Sequence, residues 1–106
     1  MFPKGRDANI KIALRRDGQT LIVHLSGDAD LFSSSLLKRE ISSQMENVQA
    51  IVFDLENLDF ADSYFIRLLV HLRKRLGGIS SVTVVNPKPI VKRVFEVTGL
   101  DALFIR

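Results

Sequence analysis

Two short apolar runs limit the folds open to this chain more than any other feature. Residues 50–54 read Ala-Ile-Val-Phe-Asp, and residues 82–85 read Val-Thr-Val-Val. Runs of this length are too short for helices and are typical of strands that are buried on both faces. Such strands usually belong to parallel sheets, in which helices connect one strand to the next.

The segments around these two strands have the 3.6-residue period of amphipathic helices. Leu37, Ile41 and Met45 recur every fourth residue, and Phe65 and Leu69 belong to a second apolar stripe. Gly and Pro residues mark where such helices end and begin. Three helices are predicted: about 34–46, capped by one of Ser33–Ser35; Ser63–Leu76, which stops at Gly77-Gly78; and about 89–97, with Pro89 near its first turn.

The N-terminal third predicts an antiparallel hairpin. Apolar residues alternate over 10–14 and again over 21–25, and Asp17-Gly18 between them suits a tight turn. His24 falls on the outward side of the second strand, where we expect a half-exposed histidine because no carboxylate has a matching spacing. With Leu103–Ile105 as a candidate last strand, the order predicts an α/β fold. The hairpin leads into a mixed, mostly parallel sheet of about four to five strands packed against three helices.

Length and composition exclude several classes of protein. The 106 residues suffice for one domain, which we place at 9–106 after a flexible terminus over 1–8. The absence of cysteine excludes disulfides, thiolate-metal sites and a thiol nucleophile. No other cluster has metal-ligand spacing, so no metal site is expected. No apolar run approaches the ~18 residues of a membrane span, and the start lacks a signal-peptide pattern, so a cytoplasmic protein without membrane contact is expected.

The net charge of +3 is distributed unevenly along the chain. Residues 1–27 carry five bases and two acids, residues 28–62 carry two bases and eight acids, and residues 63–106 carry eight bases and two acids. Such a division is typical of a nucleic-acid face, or of an acidic pocket beside a basic surface. The acidic segments 28–30 and 54–62 both follow strands and are expected to converge near Ser63, which favours the acidic pocket.

The stretch from Asp54 to Ser63 is the candidate site. It leaves a buried strand, crosses a predicted loop over 55–61 and enters a helix at Asp62-Ser63. Functional groups of open α/β sheets gather at this carboxyl edge, and the free N–H groups of a helix start would stabilise a phosphate on Ser63. Asp and Ser are also ordinary helix caps, and Asp54 is an ordinary loop organiser. A phosphorylation site and a simple cap therefore both remain open.

A polar stripe on the second predicted helix is the candidate partner surface. Its four residues, Tyr64, Arg67, His71 and Lys74, recur at spacings of three and four. Side chains at these spacings share one helix face, and this face lies opposite the apolar stripe. We name these four residues the partner surface.

Three motifs occur in order between residues 10 and 105. They are Leu25-Ser-Gly-Asp28-Ala-Asp30 after the second strand, Ile51-Val-Phe-Asp54 followed by Leu58-Asp-Phe-Ala-Asp62-Ser63, and Val97-Thr-Gly99-Leu-Asp-Ala-Leu-Phe104 near the end. In this order and in a chain of this length, they resemble the STAS domain of the bacterial anti-sigma factor antagonist family.

The resemblance implies a phosphorylation switch at Ser63, because the serine after the aspartate has that role in the family. A kinase that is also the anti-sigma factor would phosphorylate it, and a phosphatase would restore it. The unphosphorylated protein would bind the anti-sigma factor, free the sigma factor and so regulate transcription. Asp28, Asp30 and Asp62 resemble the acids around the family's site. An added charge of about −1.5 to −2 would abolish docking.

One departure from the family pattern supports an alternative. Tyr64 and Phe65 stand where the family usually has Ser or Thr followed by Gly. This bulkier pair resembles the stressosome-type members, which scaffold large signalling assemblies. The alternative function is therefore a constitutive scaffold or homo-oligomeric signalling module, in which Ser63 only caps a helix.

Nucleic-acid binding and enzymatic activity find little support in the residues. Arg73-Lys74-Arg75 is basic, but it lies at a helix end, where cations favour the helix dipole. No recognition motif accompanies it. The chain has no Ser-His-acid order and no glycine-rich phosphate loop, so it is not expected to be an enzyme. No cofactor is expected, although the resemblance allows weak nucleotide binding near Ser63.

Overall fold

Four strands and four helices make up the part of the chain that the computed structural model describes, residues 9–78 and 80–106. The predicted flexible terminus, residues 1–8, lies outside these described residues. The strands are β1 (Ile10–Asp17), β2 (Thr20–Ala29), β3 (Ala50–Ala61) and β4 (Val82–Val85), and the helices are α1 (Leu31–Ser42), α2 (Ser63–Leu76), α3 (Pro89–Val97) and α4 (Asp101–Phe104).

The sheet is mixed and mostly parallel, with strand order β1-β2-β3-β4. β1 and β2 form the predicted antiparallel hairpin, in which Asp17 pairs with Thr20 and Gly18 turns the chain with a φ of 62°. β3 pairs with β2 and with β4 in parallel. The predicted α/β class, the hairpin and the mixed sheet are therefore confirmed. The two parallel pairs bring the carboxyl ends of β2 and β3 to the same edge, where α1 and α2 begin.

A chain of buried aromatic rings holds three helices on one face of the sheet. Phe53 of β3 meets Phe65 of α2 edge-on, with ring centroids 5.8 Å apart. Phe65 meets Phe95 of α3 at 6.5 Å, and Phe95 meets Phe104 of α4 at 6.1 Å. Each such pair contributes ~0.5–1.5 kcal/mol beyond the burial of its area. The rings therefore anchor α2, and with it Ser63 at its start, to the centre of the sheet.

The predicted loop over 55–61 is wrong, because β3 continues to Ala61. Leu55, Leu58 and Ala61 are buried at intervals of three residues instead of two. Two register shifts against β2 each add one residue to β3, which breaks the alternation by which a half-buried strand is recognised. The strand is therefore longer than its sequence pattern indicates.

The first helix also begins earlier than predicted. Asp30, and not one of Ser33–Ser35, is the N-cap, and α1 ends at Ser42 instead of near 46. The Asp30 carboxylate accepts the backbone N–H of Ser33 at 2.9 Å, and the Ser33 hydroxyl accepts the N–H of Asp30 at 2.7 Å. This reciprocal pair is a capping box. It satisfies two backbone donors and places Leu31 at the first position of the helix.

The C-terminal segment contains a fourth helix that the sequence pattern did not predict. Residues 101–104 form α4, whereas Leu103–Ile105 had been expected to form a strand. Ile105 alone makes an isolated parallel bridge to Val84. The predicted α2 and α3 are confirmed: Gly77 ends α2 in the left-handed conformation with a φ of 83°, and Pro89 occupies the first turn of α3.

Candidate functional site

Ser63 is the first residue of α2, and its side chain is exposed. The residue before it is the N-cap: the Asp62 carboxylate accepts the backbone N–H of Tyr64 at 2.9 Å and that of Phe65 at 3.4 Å. The hypothesis that Ser63 itself caps the helix is therefore wrong. Asp62 takes that role because its backbone is extended and lies one residue outside the helix, where a carboxylate can accept from the free donors of the first turn, whereas Ser63 is already helical.

Asp28 and Asp30 lie beside Asp62 because the ends of β2 and β3 are paired. Ala29 is opposite Ala61, and the backbone N–H of Asp62 donates to the carbonyl of Ala29 at 3.1 Å. The Asp28 carboxylate accepts the Asn9 side-chain amide at 2.8 Å, and Asp30 caps α1. Three acidic residues therefore lie at the paired ends of β2 and β3, at the edge of the sheet where α2 begins.

Asp54 does not belong to this group. It lies seven residues before Ala61 on the continuous β3, which at about 3.3 Å per residue places it roughly 20–25 Å from the end of the strand that leads to Ser63. Its Oδ2 is 3.3 Å from Nδ1 of His24, and its Oδ1 accepts the Asn86 amide at 3.3 Å. The predicted convergence of Asp54 on Ser63 depended on a loop over 55–61, which the strand replaces.

His24 has the expected exposure but also a partner that the sequence did not reveal. Its side chain is 45% exposed, and strand pairing sets it directly opposite Asp54. The absence of a carboxylate at a matching spacing in the sequence therefore did not mean that none lies near it in the fold. The two residues are 30 positions apart in the chain, so only the register of β2 on β3 brings them together.

The partner surface forms one exposed face of α2. The Arg67 guanidinium carbon lies 5.7 Å from the centroid of the Tyr64 ring, which is within the range of a cation–π contact. This contact directs the guanidinium back towards the first turn of the helix. His71 and Lys74 continue the same face towards the C-terminal end.

An exposed apolar patch at the same edge of the sheet was not predicted. Leu31 and Phe32 open α1, Phe60 lies near the end of β3, and Tyr64 opens α2. Their exposed fractions are 47%, 60%, 44% and 44% respectively. Large apolar side chains exposed together mark interaction sites in soluble proteins. The sequence contained a signal, since Leu31 and Phe32 follow the motif ending at Asp30, but it could not show that Phe60 at the end of β3 is also exposed.

A metal site and a membrane-spanning helix are both absent from the described residues. Across 9–78 and 80–106, no three His, Asp or Glu side chains are grouped so that they could hold a metal ion. Within the same ranges, no helix is long and apolar enough to cross a membrane.

The sheet order, the Asp-Ser pair after β3 and the acidic strand ends together define a class of domain. The family model of the STAS domain matches residues 11–106. The chain therefore belongs to the STAS domain family, and the resemblance found in its motifs is confirmed.

Individual relatives narrow the comparison within that family. The chain is 31% identical over 97 residues to an anti-sigma F factor antagonist of Paenibacillus polymyxa, covering 87% of this chain and 81% of the relative. It is 28% identical over 85 residues to an anti-sigma F factor antagonist of Lysinibacillus sphaericus, covering 77% of this chain and 73% of the relative.

Solved structures agree with this grouping. An anti-sigma factor antagonist from Mycobacterium paratuberculosis superposes with a TM-score of 0.79 at 26% identity, over 91% of this chain and 84% of that one. Unphosphorylated SpoIIAA, an anti-sigma factor antagonist, shares the fold with a TM-score of 0.80 at 24% identity, over 91% of this chain and 86% of that one.

Proposed function

We propose that this protein is an anti-sigma factor antagonist whose binding is switched by phosphorylation of Ser63. In this proposal, the unphosphorylated protein binds an anti-sigma factor that is also a serine kinase. The kinase transfers the γ-phosphoryl group of ATP to the Ser63 oxygen, which releases ADP and the hydroxyl proton. A phosphatase later hydrolyses the phosphoserine to serine and inorganic phosphate. This chain supplies the acceptor and the docking surface, and the partner supplies the chemistry. The antagonist relatives support this assignment.

The observation that carries the proposal is the division of roles between Asp62 and Ser63. Asp62 satisfies the free donors at the start of α2, so the helix does not need the Ser63 hydroxyl. Within the described residues, that hydroxyl has no hydrogen-bond partner and points to solvent at the first helical position. An exposed, unengaged serine hydroxyl is accessible to a kinase.

The surroundings of Ser63 explain why a phosphate would disrupt docking. A phosphoserine carries about −1.5 to −2 charges at neutral pH. It would stand beside the Asp62 carboxylate and close to Asp28 and Asp30, where like charges repel. It would also place a strongly hydrated group next to the exposed apolar patch, whose burial favours association. Both effects weaken a complex that the unphosphorylated surface can form.

The proposed docking area combines the apolar patch with the partner surface. Exposed aromatic side chains such as Phe32, Phe60 and Tyr64 supply the apolar contact area that association requires. Arg67 adds a cation beside Tyr64, and aromatic and Arg side chains are enriched among residues that dominate binding energy. We expect binding to depend more on this centre than on Lys74 at its margin.

The test uses the cognate anti-sigma kinase, ATP and intact-protein mass spectrometry. We expect the wild-type chain to gain one phosphate, Ser63→Ala to gain none and Ser42→Ala, an exposed serine at the end of α1, to behave as wild type. Binding of each form to the kinase is then measured by calorimetry. Phosphorylation at another residue, or equal binding of the phosphorylated and unphosphorylated forms, would refute the switch.

A further inference from the structure

A groove of about 370 Å³ runs between α1 and α2. This volume lies within the range of small-molecule binding sites. The apolar part of its lining comes from Leu31 of α1 and from Tyr64 and Leu68 of α2. The groove exists because α1 presents two serines, Ser34 and Ser35, to α2 at positions where larger side chains would fill the space.

The charged part of the lining is entirely basic. Lys38 of α1 and Arg67 and His71 of α2 line the groove, and no acidic side chain does so among the described residues. The cation–π contact with Tyr64 helps to hold the Arg67 guanidinium beside the groove. Lys38 and Arg67 meet no negatively charged side chain among the described residues that line the groove, so the charge of the groove favours an anionic ligand.

A buried hydroxyl in the same lining lacks a hydrogen-bond partner. Ser34 keeps only 7% of its surface exposed, and its Oγ is buried without a donor or acceptor in contact. Buried polar atoms are nearly always paired, and an unpaired one is destabilising. Because Ser34 lines the groove, an acceptor bound there would supply the missing partner.

We propose that this groove binds an amphiphilic organic anion. The apolar body of the ligand packs against Leu31 and Leu68, and its carboxylate or phosphate head group accepts hydrogen bonds from Lys38, Arg67 and Ser34. The planar guanidinium of Arg67 suits a head group that offers two oxygens side by side. The site does not depend on phosphorylation of Ser63. Because Arg67 also belongs to the partner surface, a bound ligand occupies part of the proposed docking area.

The test is a titration of the ¹⁵N-labelled full chain, followed by NMR, with probes that separate head group from body. Phenylacetate and phenyl phosphate carry both parts, phenylacetamide lacks the charge, and acetate and inorganic phosphate lack the body. We expect at least one of the two amphiphilic anions to shift groove amides saturably, with a low-millimolar dissociation constant as befits its size. The three partial probes should bind at least about fivefold more weakly. Comparing the two anions identifies the preferred head group.

Variants test whether the probes bind in the groove itself. Arg67→Gln should weaken binding at least about fivefold, and Ser34→Ala about two- to threefold. Arg93→Gln removes the same charge from an exposed position on α3 and should leave binding unchanged. The proposal is overturned if neither amphiphilic anion saturates, if phenylacetamide binds equally well, or if Arg93→Gln matches Arg67→Gln. Unchanged spectra of the free variants establish that they are folded.

Discussion

The start of α2 offers a prediction that separates the roles of Asp62 and Ser63. Replacing Asp62 with alanine removes the acceptor of two backbone hydrogen bonds, at 2.9 and 3.4 Å. Loss of an N-cap costs about 1 kcal/mol, and loss of a negative charge at the helix N-terminus about 0.5 kcal/mol more. We therefore expect Asp62→Ala to lower the free energy of unfolding by about 1.5 kcal/mol. Ser63→Ala removes no hydrogen bond and should change it by less than about 0.5 kcal/mol.

Urea unfolding followed by circular dichroism measures both variants, and thermal unfolding provides a second reading. For a domain of about 100 residues, 1 kcal/mol shifts Tm by roughly 4–8 °C. Asp62→Ala should thus lower Tm by about 6–12 °C. Asp62→Asn should retain most of the stability, because asparagine is also a good N-cap. This intermediate variant separates the hydrogen bonds of the cap from its charge.

Asp59→Ala is the matched control for losing a carboxylate from the same region. Its side chain is 64% exposed and pairs only with Lys88, so its removal should have a small effect. The assignment of the cap to Asp62 would be refuted if Ser63→Ala cost as much as Asp62→Ala. It would also fail if Asp62→Ala were no more damaging than Asp59→Ala.

Three further substitutions test the scaffold that holds the site, each by urea unfolding. Phe65→Ala removes the ring that links Phe53 to Phe95 and should cost about 3–5 kcal/mol; a loss below about 1 kcal/mol would contradict the aromatic chain. Gly27→Ala places a methyl carbon 2.3 Å from the Asn9 carbonyl oxygen, at a φ of 98°. We therefore expect the free energy of unfolding to fall by at least about 2 kcal/mol. Wild-type stability would rule out the close approach. In Gly77→Ala the added methyl group contacts nothing, but the φ of 83° is unfavourable for alanine. The free energy of unfolding should therefore fall by only about 1–2 kcal/mol. An increase would exclude the left-handed C-cap.

The elements that the sequence predicted well are those specified by neighbouring residues. The bounds of α2 follow from its apolar stripe and from Gly77, which adopts a left-handed conformation that ends a helix. α3 begins at Pro89 for an equally local reason, since proline suits the first helical turn. The hairpin turn at Gly18 is likewise local.

The two main mispredictions have different causes: the length of β3 depends on contacts between distant residues, whereas the start of α1 depends on a local choice between caps. The second half of β3 carries no period-two pattern, because its two extra residues are accommodated only by pairing with β2. The start of α1 was placed too late because Asp30 and the serines at 33–35 are all acceptable caps. The capping box between Asp30 and Ser33 decided between them.

The sequence by itself determined that an Asp-Ser pair opens an amphipathic helix after a buried strand, and that Asp28 and Asp30 end the neighbouring strand. Periodicity and capping are short-range properties, so residues within a few positions of each other suffice to specify them. The sequence left both Asp62 and Ser63 open as the cap, and the structure shows that Asp62 takes this role and that Ser63 is exposed.

The tertiary structure also decided which side chains share a site. Strand register separates Asp54 from Ser63 and pairs it with His24 instead. The packing of α1 against α2 forms the groove and buries the Ser34 hydroxyl in its lining. The physical reason is the same in each case: register and helix packing are set by contacts between residues far apart in the chain, which local sequence patterns do not encode.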